Sequence, residues 1–209
     1  MRILLTGFEP FGGSPINPSV SLIEVFAAEG LLGSRVTTAI LPVVGGSGSE
    51  SARAGLERAI AACEPETVVC FGEASRATHV QFERVGVNLR DDRIADNAGR
   101  RCCDEPIIAG APVAYFSTLP TRAMRDACEG EGVPAELSMS AGTFLCNEVL
   151  YWLLHACATR LCPSVSRAGF VHVPQLPEQA AVRGGPSMKF QHVIRGVRAS
   201  LRELASPLG

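Results

Sequence analysis

The sequence predicts an α/β fold: one domain over residues 1–209, with a mixed, mostly parallel central sheet and helices on both faces. Three observations lead there. Apolar runs of strand length alternate with helically spaced apolar patterns from end to end; no linker or internal repeat interrupts them; and glycines close the strands, handing the chain to loops gathered at the strand ends.

Taken in order, "RILLTGF" (2–8) is a buried strand. "NPSVSLIEVFAAEG" (17–30) reads as a helix with Asn17 as N-cap, Pro18 at the first helical position and Gly30 closing it. "RVTTAILPVV" (35–44) is a second strand, and residues 47–63 place Ala52, Leu56, Ala59, Ile60 and Cys63 on one helical face. "ETVVCFG" (66–72) is a short apolar strand ending at its glycine. "HVQFERVGVNL" (79–89) alternates as a single antiparallel strand, with Val80, Phe82, Val85 and Val87 competing for the buried face, and the polar loop "RDDRIADNAGR" follows. Residues 112–119 and 135–139 read as strands around a helix at 121–129. In "SMSAGTFLCNEVLYWLLHA" (138–156) a small-residue loop turns into an apolar helix, and "RAGFVHVP" (167–174) is a last inner strand. From Ser187 onward, Phe190, Val193, Ile194, Val197 and Leu201 recur at the spacing of an amphipathic helix.

Composition excludes several function classes. Hydrophobic residues make up 46% of the chain, ample for a packed core, and a net charge of −2 without any Lys/Arg run argues against nucleic acid or anionic lipid as a partner. No apolar stretch reaches the roughly 18 to 20 residues needed to span a bilayer. Glu9, Pro10 and the following glycines interrupt the N-terminal apolar segment before a signal-peptide core forms, so the expected compartment is the cytoplasm. The eight cysteines are then expected to be reduced, most of them as buried small hydrophobes. Neither Cys102 beside Cys103 nor Cys157 with Cys162 has zinc-ligand spacing, and no metal or cofactor is expected.

The first loop, "TGFEPFGG", runs from a strand through glycines to a helix like a phosphate-binding turn, but Gly13 and Ser14 stand where that pattern needs lysine. What remains is Phe8 and Phe11, which fit either core packing or a flat apolar slot for a small ring. Cys146 is more telling. A thiol in the first turn of a helix feels the positive end of the macrodipole and free backbone N–H groups, which favour thiolate, and the same N–H groups can stabilise an oxyanion. Such a nucleophile needs a base, and the chain has four histidines. His155 lies two turns along the same helix, His192 sits in the terminal helix beside Val193, and His79 precedes a strand in a polar stretch. His172 ends an apolar strand at the loop cluster and is the best placed. Glu83, a charge within an apolar strand, needs a partner: Arg84, Arg93 or a histidine, or else an ordinary solvated strand face.

Together the stretches "LLTGFEPFGG", "NPS", "ERVGVN", "RIADNAG", "DEPI", "AYFSTLP", "SAGTFLCN", "GFVHVP" and "LPEQ" resemble, in order and spacing, the pyroglutamyl peptidase I family of cysteine peptidases, also called pyrrolidone-carboxylate peptidases. The resemblance covers nearly the whole chain. It implies a single α/β/α sandwich of the phosphorylase/hydrolase-like type and a catalytic triad falling on Glu83, Cys146 and His172. It further implies removal of N-terminal pyroglutamate (5-oxoproline) from peptides without a cofactor, and a homotetramer. Phe8, Phe11, Ile94, Phe144 and Leu145 would then hold the lactam ring, with Arg93 beside the oxyanion site. The chain departs from the family pattern at "GEASRA", where Glu73, Ser75, Arg76 and Ala77 replace the residues of a glycine-rich "GxAGGR", and at Phe82, where proline is common. Two other readings stand beside the peptidase: a nucleoside-phosphorylase-like transferase on a similar sandwich, and a catalytically silent protein that captures pyroglutamyl peptides.

Overall fold

The computed structural model describes residues 1–31 and 33–205. The chain begins with β1 (Arg2–Phe8), whose Phe8 N–H donates to Ser19 Oγ at 3.0 Å. Helix α1 (Pro18–Glu29) starts as the sequence predicts, with Asn17 Oδ1 accepting from Ser19 N–H at 3.1 Å. β2 (Arg35–Leu41) stops three residues short of its predicted end, because Val43 N–H turns to Glu9 Oε1 at 2.9 Å. Helix α2 (Ala52–Cys63) begins five residues later than expected, capped by Ser51. β3 (Thr67–Ala74) runs two residues past Gly72, so that glycine lies inside the strand.

The predicted strand at 79–89 is two strands. β4 (Val80–Glu83) stays in the main sheet, while β5 (Val85–Val87) peels away to pair antiparallel with β6 (Ala114–Phe116), all that is strand in the predicted 112–119. The chain turns at Arg84, whose N–H bonds Ser138 O and whose carbonyl accepts from Ser117. Val80 and Phe82 are fully buried as expected, but Val85 and Val87 are half-buried. Gly86 takes the inside position: a Cβ there would stand 3.0 Å from the Tyr151 backbone. Helix α3 (Thr121–Gly130), β7 (Ala135–Ser138), helix α4 (Leu145–Ala158) and β8 (Arg167–Pro174) follow close to their predicted ranges. A short helix α5 (Pro177–Arg183), not anticipated from the sequence, precedes α6 (Phe190–Arg202).

The six-stranded sheet has the order β2-β1-β3-β8-β4-β7, with the β8–β4 contact antiparallel and the other four parallel. Successive strand residues point to opposite faces, so two cores form. Ile3, Leu5, Val69, Phe71 and Val171 pack against α1, α3 and α6 on one face. Leu4, Val68, Cys70, Ala168 and Phe170 meet α2 and α4 on the other. Helix α4 is buried nearly all round, as its continuous apolar sequence requires, because the β5–β6 hairpin covers the side turned away from the sheet. No helix among the described residues is long and apolar enough to cross a membrane.

Candidate active site

Strands β1, β3 and β8 run parallel, so the loops after Phe8, Ala74 and Pro174 collect at one end of the sheet. A cavity of about 620 Å³ opens there, with Phe11, Arg93, Ile94, Phe144, Cys146 and His172 in its wall. The register explains how the polar groups converge. His172 lies opposite Gly72 of β3, while across the antiparallel contact Glu83 lies opposite Phe170. Directly opposed residues share a face, and so do residues two apart on one strand. Gly72, Glu83, Phe170 and His172 therefore project to the α4 side.

On that side His172 Nδ1 meets Glu83 Oε1 at 2.8 Å, and the imidazole packs against Phe170 with ring centroids 4.8 Å apart. Glu83 is fully buried, and its Oε2 has no hydrogen-bond partner among the described residues. The carboxylate is thus directed at the imidazole alone, which leaves Nε2 for the thiol. Burial by itself would push the imidazole down, but the Cys146 charge and hydrogen bonds with Cys146 and Glu83 outweigh it and hold His172 up at about 10. This is the electrostatic signature of an imidazolium held between two acids.

Cys146 is the second residue of α4. The first helical hydrogen bond at this end is Glu148 N–H to Phe144 O at 3.0 Å, so the N–H groups of Leu145, Cys146 and Asn147 precede the ladder. The thiol sits over Gly72, where a Cβ would come within 2.9 Å of its sulfur. The expectation that most cysteines are fully buried does not hold. Only Cys70 and Cys128 are; Cys63, Cys102, Cys146, Cys157 and Cys162 are half-buried and Cys103 is exposed. Four of the half-buried thiols, Cys63, Cys146, Cys157 and Cys162, pack against the α2/α4 core from its edge. Burial pushes Cys70 and Cys157 up to about 12 and Cys128 to about 11.

The remaining histidines are occupied elsewhere. His155 Nδ1 is 3.0 Å from Tyr115 Oη, His79 Nδ1 is 2.8 Å from Thr78 Oγ1, and His192 is exposed. The residues assigned to a lactam slot divide into two groups. Phe11, Ile94 and Phe144 line the open cavity, whereas Phe8 and Leu145 are buried behind it, walling with Phe11, Phe144 and Cys146 a void of about 20 Å³. That void is the size of a water molecule rather than a ring.

Sequence reasoning missed the groups that hold α4 in place. Asn147 accepts from Val87 N–H and donates to the Val87 and Leu89 carbonyls, each at 2.9 Å. Arg90, 5% exposed, donates to Asp92 at 2.6 and 3.1 Å, and its Nη1 lies 2.8 Å from Glu148 Oε2. The last contact is an ion pair without hydrogen-bond alignment, as Oε2 has no hydrogen-bond partner among the described residues. Glu148 Oε1 also accepts from Gly46 N–H at 2.7 Å. Burial pushes the Glu148 carboxyl up against the opposing pull of Arg90 and Gly46. Thr143 and Asp91 exchange two further bonds at 2.7 and 3.0 Å, so the loop carrying Arg93 and Ile94 is tied to the start of the helix that carries Cys146. The signal was the charge density of "NLRDD", which sequence periodicity reads only as loop.

Of the residues that depart from the family pattern, Glu73, Ser75, Arg76 and Ala77 line the cavity, whereas Phe82 is buried in the core on the other face of the sheet. Glu73 is buried, with Oε1 2.9 Å from Arg183 Nη1 and Oε2 accepting from Gln179 Nε2 at 2.7 Å. The unexpected helix α5 is thus clamped to the end of β3. Ser75, Arg76 and Ala77 follow in the wall.

Comparison with known proteins converges on one family. The family model described as pyroglutamyl peptidase matches residues 1–206. A pyrrolidone-carboxylate peptidase of Streptomyces coelicolor is 45% identical over 204 residues, covering 98% of this chain and 92% of that protein. Pyrrolidone-carboxylate peptidase 1 of Ralstonia nicotianae is 43% identical over 200 residues, covering 95% and 90%. Among solved structures, a variant pyrrolidone carboxyl peptidase from Pyrococcus furiosus superposes with a TM-score of 0.90 at 37% identity, covering 97% of each chain. Pyroglutamyl peptidase I from Bacillus amyloliquefaciens gives 0.87 at 34%, covering 95% and 94%. With a sheet, a helix-borne thiol and a full-length match that all agree, the chain belongs to the pyroglutamyl peptidase family of cysteine peptidases.

Proposed function

We propose that this protein is a cysteine exopeptidase that removes N-terminal pyroglutamate from peptides, with Cys146 as nucleophile, His172 as acid and base, and Glu83 as the residue that orients His172. The observation that carries the assignment is the buried Glu83–His172 contact at 2.8 Å, with Cys146 close enough to the imidazole to help hold it up. His172 takes the thiol proton. The thiolate attacks the carbonyl carbon of the pyroglutamyl residue, and the resulting oxyanion lies against the free N–H groups of the first turn of α4, each typically worth about 3 kcal/mol. Arg93, on the same cavity wall, supports that charge. His172 gives its proton to the leaving amine as the C–N bond breaks, leaving a thioester. It then takes a proton from water, whose oxygen displaces the sulfur and releases pyroglutamate.

Phe8, Phe11, Ile94, Phe144 and Leu145 form the apolar surroundings of the lactam. A ring that is flat and uncharged suits such walls, while the ammonium of an ordinary N-terminus would be stranded there. Entry requires Phe11 and Phe144 to swing apart, since the void behind Cys146 is closed down to about 20 Å³. The transferase and the silent binder are not favoured, because the relatives are peptidases.

Two finer assignments accompany this reading. All eight cysteines are free thiols, which suits a cytoplasmic protein. Self-association as a tetramer is supported by apolar side chains left at the surface of the β5–β6 region, where Val113 is 85% and Phe116 66% exposed; sedimentation equilibrium tests it. The activity itself is tested by chromophore release from a pyroglutamyl arylamide. Turnover by the native chain and its loss in Cys146→Ser and His172→Ala are expected, and saturable binding without turnover would replace the peptidase with the binder.

A further inference from the structure

The charges around the cavity are unevenly distributed. Among the described residues three guanidiniums, Arg76, Arg93 and Arg183, line it, and Glu73 is the sole carboxylate in its wall. Glu73 is already committed: its Oε1 lies 2.9 Å from Arg183 and its Oε2 accepts from Gln179, with 1% of the side chain exposed. Glu83 does not reach the wall and faces His172. Arg76 and Arg93 are exposed and have no ion-pair or hydrogen-bond partner among the described residues. A chain with a net charge of −2 therefore presents two unpaired cations at the mouth of its reactive cavity.

The apolar walls and the unpaired cations are suited to different parts of a peptide. A pyroglutamyl ring carries no charge and belongs with Phe11 and Phe144, and Arg93 is taken up with the oxyanion, which leaves Arg76 for the peptide beyond the scissile bond. Resting on the peptidase reading, we infer that the leaving portion preferred by this enzyme carries a carboxylate close to the scissile bond, bound at Arg76, with the field of Arg93 adding to the attraction. The carboxylate comes either from an acidic second residue or from the free C-terminus of a dipeptide; both place an anion one residue beyond the cleaved bond. Exposed charges of this kind act through a screened field, so the preference is modest in size and sensitive to salt.

The test compares kcat/KM on four substrates: pyroglutamyl-alanine with a free C-terminus, pyroglutamyl-glutamyl amide, pyroglutamyl-alanyl amide and pyroglutamyl-lysyl amide. The first or second is expected to exceed the neutral amide by about fivefold, the size of one screened charge pair, and which one does so identifies the source of the carboxylate. The lysyl amide is expected to fall below it. Raising NaCl to about 0.5 M, where the screening length is well under 10 Å, compresses the series. Arg76→Gln, at a residue outside the catalytic machinery, is expected to reduce the preference by half or more while leaving turnover of an uncharged pyroglutamyl arylamide within twofold. Equal rates on all four substrates, or a preference unmoved by both salt and Arg76→Gln, overturn the inference while arylamide turnover keeps the peptidase reading intact. Absence of arylamide turnover in the native chain refutes that reading first.

Discussion

Gly72 and His172 are register partners on neighbouring parallel strands, and the side chain that Gly72 lacks is the space the Cys146 sulfur occupies. A Cβ at that position would stand 2.8 Å from Phe170 Cζ and 2.9 Å from Cys146 Sγ, closer than either atom tolerates. Gly72→Ala is therefore expected to displace the thiol from the imidazole, lowering kcat/KM at least about tenfold, with an overpacking cost of about 1–3 kcal/mol in stability. Gly130→Ala, where a Cβ meets nothing within 4 Å, is the control and is expected to change neither. Full activity in Gly72→Ala would show that the thiol does not need this space.

The raised His172 value gives a pH prediction with a definite sign. A histidine held up at about 10 from an ordinary 6.5 stabilises the fold fully below pH 6.5, and that contribution disappears as pH rises through about 10. In the proposed mechanism the same proton goes to the leaving amine, so kcat/KM is expected to fall on the alkaline side near pH 10. Glu83→Gln removes one of the groups that raise the imidazole and is expected to move that limb to lower pH; Cys146→Ser is expected to lower the His172 titration itself, read by NMR of the ring. An alkaline limb unmoved in Glu83→Gln would separate Glu83 from His172 function.

The Arg90–Asp92–Glu148 cluster is buried, with side-chain exposures of 6% or less. Removing the shared cation leaves two carboxylates without compensation in the interior. Arg90→Met is expected to destabilise the protein by about 3–5 kcal/mol, measured by chemical denaturation, and to reduce activity by loosening the loop that carries Arg93. A loss below about 1 kcal/mol would mean that the cluster is replaceable by apolar packing.

Thiol labelling distinguishes the cysteines. Burial raises Cys63, Cys70, Cys102, Cys128, Cys157 and Cys162, whereas Cys103 is exposed and Cys146 is hydrogen-bonded to the imidazole. Iodoacetamide at neutral pH followed by peptide mapping is expected to modify Cys146 and Cys103 first. A pyroglutamyl ligand is expected to protect Cys146 alone. Protection of Cys103 instead would move the binding site to the 102–105 loop.

How much of the fold and site was legible in the sequence depends on whether a feature is local. Asn17 and Pro18 mark a helix start because capping satisfies backbone groups two residues away, and the apolar run around Val171 marks an inner strand for an equally local reason. Cys146 could be singled out because the helix dipole acts within one turn. Glu83 could not be joined to His172 by spacing, since their contact is created by an antiparallel register 89 residues apart in sequence. The break at Arg84 showed in the sequence only as a change of phase, since Val80 and Phe82 alternate on even positions and Val85 and Val87 on odd ones, and spacing does not say that the second pair joins a different sheet. Helix α5 was missed because its seven residues bury only Gln179, leaving no apolar stripe to read.

The position of β8 bears on the order in which the protein is made. This strand is the last of the eight to leave the ribosome, yet it lies between β3 and β4 in the finished sheet. Until Arg167–Pro174 is synthesised, β3 and β4 lack the neighbour that joins them in the finished sheet, and their facing edges have no partner. That one strand both joins β3 to β4 and carries His172 to Glu83, so a nascent chain holds Cys146 before the residue that meets Glu83 has been made.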